Sequence, residues 1–146
     1  MRLPMNITGI TEREINLEQM DGQFFQRLGH EIARNVKGNV IGWHPPQYPL
    51  NYFRIDIELG EKIVSILLHE FFPYAAIASY ENELQIAFLE HVEITDGLKP
   101  YYKVLGTNFL NEPFNAKLHD LSKIERLNAK HWRPKTNGEV IFNCWD

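Results

Sequence analysis

From Phe53 to Leu59 the chain sets Phe53, Ile55, Ile57 and Leu59 against Arg54, Asp56 and Glu58. Side chains two residues apart share one face of a strand, so this alternation predicts a strand with one face in a core and the other charged. Tyr74 to Tyr80, apolar or small on both faces, reads as a central strand. Glu81-Asn82 then turns it into Glu83 to Leu89, where Leu84, Ile86 and Phe88 alternate, and the pair reads as a hairpin. Val40 to Trp43 and Tyr101 to Leu105 read as further short strands, and Ile15 with Leu17 alternates as part of another.

Helical spacing occurs elsewhere. Asp21 is placed to cap a helix over 21–37 that carries Phe24, Phe25, Leu28, Ile32 and Val36 as one stripe, with Gly38 as its stop. Gly22 and Gly29 each cost about 1 kcal/mol relative to alanine if they lie in its interior. Between Glu61 and Phe72, Val64, Leu67, Leu68 and Phe71 form a stripe opposite Glu61, Lys62, Ser65 and His69, which predicts a middle helix ended by Pro73. Ser122 with Glu125 has capping-box spacing and opens a helix toward Lys130.

Thr136 with Glu139 repeats that spacing, and Val140, Ile141, Cys144 and Trp145 follow on one helical side. Burying groups of that size is worth roughly 1.5 to 3 kcal/mol each, enough to offset ordering terminal residues at roughly 1 to 2 kcal/mol apiece. A docked C-terminal helix is therefore expected. The fold class expected is α+β: a mainly antiparallel sheet packed with an N-terminal helix, a middle helix and that last helix, in one domain spanning 1–146. Pro45, Pro46 and Pro49 hold the segment before the first long strand extended; Pro45-Pro46-Gln47-Tyr48 also has the form of a proline-rich ligand.

Composition sets further expectations. A hydrophobic content of 44% with 12% aromatics argues against long disorder. No apolar run resembles a secretory signal or approaches about 18 residues, so a cytoplasmic protein without membrane association is expected. The lone cysteine, Cys144, falls on the expected buried face of the last helix and reads as an inert small hydrophobe.

Catalytic signatures fail on inspection. His30-Glu31 and His69-Glu70 begin a zinc-protease motif, but the second histidine is replaced by Arg34 and Pro73. His44, His91, His119 and His131 are scattered singly and read as surface or hydrogen-bonded histidines. None of Ser65, Ser79 and Ser122 sits in a nucleophile elbow, and no glycine-rich phosphate loop occurs. The expected sets of catalytic, cofactor-binding and metal-ligating residues are empty, and the chain reads as a binder rather than an enzyme.

The closing residues carry a family resemblance. Trp132, a basic residue and Pro134, then Gly138-Glu139-Val140-Ile141-Phe142-Asn143, one variable residue and Trp145-Asp146, resemble the end of certain small bacterial immunity proteins. Those are encoded beside polymorphic or contact-dependent growth-inhibition toxins. The resemblance implies a protein that binds the toxin domain of a neighbouring gene product and blocks it by stoichiometric complex formation. It implies nothing about which toxin or which contact residues.

Charge supplies a candidate surface. Between Asn51 and Asp96 nine acids face two bases, whereas between Gly97 and Lys135 eight bases face three acids. Many such toxins are nucleases with basic substrate faces, to which carboxylates give steering and specificity. The candidate contact residues are Asp56, Glu58, Glu61, Glu81, Glu83, Glu90 and Glu93, with Asp56 and Glu58 outward on the strand and Glu81 and Glu83 at the hairpin tip. The alternative is a small nucleic-acid-binding module using the basic 117–135 region, with Trp132 stacking a base. An acidic whole-chain balance, −4 at neutral pH, makes nucleic acid the weaker partner of the two.

Overall fold

A computed structural model describes residues 1–11 and 15–146. The fold is α+β, built on one sheet. Helix α1 (Gly22–Asn35) precedes strands β1 (Asn39–His44), β2 (Tyr52–Leu59), β3 (Lys62–His69), β4 (Tyr74–Asn82) and β5 (Gln85–Phe88). Helix α2 (Val92–Leu98), strand β6 (Lys103–Val104) and helices α3 (Thr107–Leu110), α4 (Lys123–Trp132) and α5 (Asn137–Ile141) follow. Strands β1 to β5 pair antiparallel in chain order, and two-residue β6 runs parallel to β4 along the part of its edge that β5 leaves free. Among the described residues no helix is long and apolar enough to cross a membrane.

The middle helix expected over 61–72 is instead β3. Six successive residues, Val64 to His69, are buried because β3 lies between β2 and β4 with both of its faces covered. A strand buried on both sides shows a continuous apolar run, and such a run contains a helical stripe by necessity. The discriminating signal is Gly60-Glu61: Leu59 pairs with Lys62 across this two-residue loop, and Gly60 takes φ +63°. Mid-chain helix does occur, at α2. Ile15 and Leu17 belong to no strand; the Leu17 amide bonds back to the Ile15 carbonyl at 3.0 Å, a tight turn that extended backbone cannot make. The hairpin turn falls at Glu83-Leu84, two residues later than expected, with Asn82 Oδ1 accepting from the Leu84 amide at 2.9 Å.

One face of the sheet is covered by α1 and α2. Phe25, Leu28 and Ile32 of α1 and Ile94 and Leu98 of α2 pack on Phe53, Ile55, Ile57, Val64, Ile66 and Leu68. Asp21 caps α1 by accepting from the Phe24 amide at 3.0 Å. The helix ends in a Schellman pattern: Gly38 donates to the Ala33 carbonyl at 2.8 Å, and Lys37, not a glycine, takes the left-handed position at φ +59°. Gly38 serves a different purpose, since a Cβ there would stand 2.7 Å from the Glu58 carbonyl.

The other face is covered by the chain's two ends. Leu3 and Ile7 join Leu110, Leu121, Ala129, Val140, Ile141, Phe142 and Trp145 over Tyr52, Leu67, Ala76 and Ala78. The tail is docked as expected, but α5 stops at Ile141, because Phe142 turns to extended backbone at φ −114°, ψ 91°. Trp145 is therefore buried outside the helix, and Cys144 is partly exposed rather than on a buried helical face. Thr136 does cap the Glu139 amide, at 3.4 Å, yet the Glu139 carboxylate reaches the Lys135 amide instead of closing a box on Thr136.

Candidate functional site

Buried polar side chains pin the two ends together and thereby shape the surface above them. Asn143 Nδ2 donates to Val140 O (2.8 Å) and Thr8 O (3.1 Å), while its Oδ1 accepts from the Trp145 amide (3.1 Å). Asn51 answers from the start of β2, its Oδ1 accepting the Asn143 amide at 2.8 Å and its Nδ2 donating to Ile141 O at 2.9 Å. Glu125, wholly buried, closes a capping box with Ser122 and also accepts from the Asn6 and Thr8 amides and the Thr8 hydroxyl at 2.6 to 2.9 Å. His69 Nδ1 accepts the Phe71 and Phe72 amides, which leaves Nε2–H to donate to Ile7 O. Burial holds its pKa down at about 4. Sequence reasoning found the Ser122/Glu125 spacing and Asn143, but nothing local marks Asn51, His69 or the burial of Glu125.

Above this clasp lies a groove of about 340 Å³. Seven of the ten signature residues named above line it: Trp132, Pro134, Gly138, Glu139, Phe142, Asn143 and Trp145; Val140 and Ile141 are buried beneath it in the core. Asp146 is exposed and does not. The opposite wall is the β4–β5 hairpin, through Glu83, Leu84, Ile86 and Phe88. Gly138 is needed for the walls to meet, since a Cβ there would collide with the Phe88 ring and stand 3.1 Å from the Leu110 carbonyl. Leu84 is 80% exposed and Trp132 is 37% exposed, so the rim carries apolar surface in water. Partial burial, then the nearby Glu83 and Asp146 charges, push the Cys144 thiol upward, which disfavours the thiolate a nucleophile requires.

The acidic candidates do not form one surface. Glu58, Glu61, Glu81 and Glu83 are exposed, and the register places them together: Asp56 pairs with Ser65 and Ser65 with Ala78, so the β2–β3 and β4–β5 turns sit at one end of the sheet. Asp56 is a correction. Its Oδ1 accepts from Ser65 Oγ (2.6 Å) and Arg54 Nε (3.1 Å), its Oδ2 faces His44 Nε2 at 3.2 Å, and its side chain is only 16% exposed. The outward face of β2 is partly roofed there, with Arg54 lying 3.9 Å over the Tyr80 ring and Tyr80 sharing a 2.8 Å hydrogen bond with Tyr52. Burial, and then that bond, push the Tyr52 phenol well above its ordinary range. Because Asp56 stands between serine and histidine, the imidazole contacts carboxylate and not hydroxyl.

Glu90 and Glu93 follow β5 away from these tips. Glu90 accepts from the Thr107 amide and hydroxyl at 3.1 and 3.2 Å, capping α3 from outside where Gly106 has no side chain to do so, and Glu93 opens the first turn of α2. Among the described residues no group of three or more His, Cys, Asp or Glu side chains is placed to hold a metal ion. Of the basic 117–135 region, Lys123, Arg126, Lys130 and Arg133 line a second groove along α4 that adjoins the first at Arg133 and Pro134, whereas Lys117 does not line it and Lys135 lines the first groove. No family model, curated protein or solved structure matches this chain.

Proposed function

We propose that this chain is an immunity-type protein that neutralises a bacterial toxin domain by stoichiometric binding, without turnover. The observation that supports it best is the convergence of the terminal signature with the acidic hairpin: Glu83 and Leu84 face Trp132, Pro134 and Trp145 across one groove. The exposed Trp132 is the kind of aromatic anchor that carries much of an interface's binding energy, and Leu84 adds apolar contact area beside it. Glu58, Glu61 and Glu81 lie at the same end of the sheet as Glu83, and this group of exposed carboxylates is suited to a partner with a basic face.

The test is co-expression with the toxin domain encoded beside this gene. Protection should track the ratio of the two proteins, because each complex removes one toxin and regenerates nothing. Protection at strongly substoichiometric levels would indicate turnover instead. Failure of the purified chain to bind or protect against that neighbour would end the immunity reading.

A further inference from the structure

The segment around α4 carries cations whose own acids are occupied elsewhere. Asp120 is held by Arg2, whose Nε and Nη2 donate to it at 2.7 to 3.3 Å. Glu125 is buried with its oxygens taken by Asn6, Thr8 and Ser122, and Glu112 accepts from Asn137 Nδ2 at 3.0 Å. Among the described residues no ion pair reaches Lys123, Arg126, Lys130 or Arg133. These four exposed side chains line an open groove of about 660 Å³ whose other wall is Phe114 to Ala116, and none of its lining residues is acidic.

We propose that this groove binds single-stranded nucleic acid through its phosphate backbone. Lys123, Arg126 and Lys130 repeat at three- and four-residue spacing, which sets successive Cβ atoms roughly 5 to 6 Å apart along one helix face. A regular row of cations without a carboxylate suits a chain of phosphates and gains from counterion release. Phe114 and Leu127, the latter 52% exposed, add apolar surface in the same groove, which unstacked bases can cover and a strand of carboxylates has no use for. The overall charge of −4 argued against such a partner, but screening over about 10 Å at 0.1 M salt confines that repulsion and leaves the local row to decide contact. The groove shares only Arg133 and Pro134 with the one lined by the signature, so the two sites can be tested separately.

A fluorescently labelled oligothymidylate of about twenty nucleotides, titrated with the full chain near 50 mM salt, should bind saturably. The logarithm of its binding constant should fall with log salt at about −0.7 per phosphate neutralised. Lys123→Glu with Lys130→Glu should weaken binding at least tenfold and flatten the slope by about 1.4. Adding Arg126→Glu should weaken it again. Because Arg126 Nη1 also donates to the Leu121 carbonyl, the double variant is the one that separates binding from folding, checked by an unchanged thermal midpoint. Absence of binding near 50 mM salt, or an unchanged slope in the double variant, would overturn the proposal. Equal displacement by a polyglutamate of similar length would also overturn it, in favour of an acidic polypeptide.

Discussion

His69 sits inside the clasp with both ring nitrogens engaged and no access to water, so its charge state is coupled to folding. The folded chain holds its pKa at about 4 against 6.5 for a free imidazole, chiefly through burial. Between those values the unfolded chain binds the extra proton. The stability associated with neutral His69 is complete above about pH 6.5 and is lost as pH falls toward 4, a change of about 3 kcal/mol. His119 is lowered by burial as well and acts in the same direction, while Glu70, raised by burial, opposes it. Urea unfolding from pH 7 to 4.5 should show this fall. His69→Gln should be less stable at pH 7 yet show a flatter profile, and parallel profiles for the two proteins would refute the assignment. Trp145 belongs to the same scale. Buried to 6% exposure, its truncation in Trp145→Ala should cost about 3 to 5 kcal/mol of unfolding free energy.

At the scale of elements, glycines decide how closely layers approach. Gly29 lies buried on the inner face of α1, where a Cβ would collide with the Ile55 side chain of β2. Alanine gains about 1 kcal/mol of helix propensity there, but overpacking a core contact costs typically 1 to 3 kcal/mol. Gly29→Ala should therefore destabilise, by up to about 2 kcal/mol in urea unfolding; a stabilised variant would show that α1 can move away from the sheet without penalty. Sequence reasoning saw Gly29 only as a cost to the helix, because the reason for it resides on β2. The same limit explains the other misreadings. Alternation in β2 and the Asp21 and Ser122 caps were legible because period, cap and burial agree locally. The twofold burial of β3 is set by neighbours and hides its period, and the end of α5 is set by Asn51 reaching across to Asn143. Short α2 and α3, at seven and four residues, carry too few turns to display a stripe.

For the whole molecule, the acidic half of the sequence does not become an acidic half in space. Pairing sends Asp56 into a roofed polar cluster and Glu90 to cap α3, while it gathers Glu58, Glu61, Glu81 and Glu83 at the tips of two hairpins. Composition foretold the excess of charge, but only register and roofing reveal which carboxylates meet solvent, and the approach of Glu83 to residues some fifty positions later is invisible to any local pattern. If these four acids steer a basic toxin, reversing all four to lysine should slow association and flatten its salt dependence. The fold should survive, since exposed charges contribute roughly 0 to 1 kcal/mol each and none of the four is in an ion pair among the described residues. Glu83→Lys alone should behave differently from Glu58→Lys alone. Only Glu83 lines the groove, so its reversal should also raise the dissociation rate, whereas Glu58, away from the groove, should affect association and leave dissociation nearly unchanged. Surface plasmon resonance at low and physiological salt separates the two rates. Equal dissociation rates for the two single variants would place the toxin on the hairpin tips and leave the groove outside the interface, and an unaltered association rate for the fourfold variant would exclude the acidic tips as the steering surface.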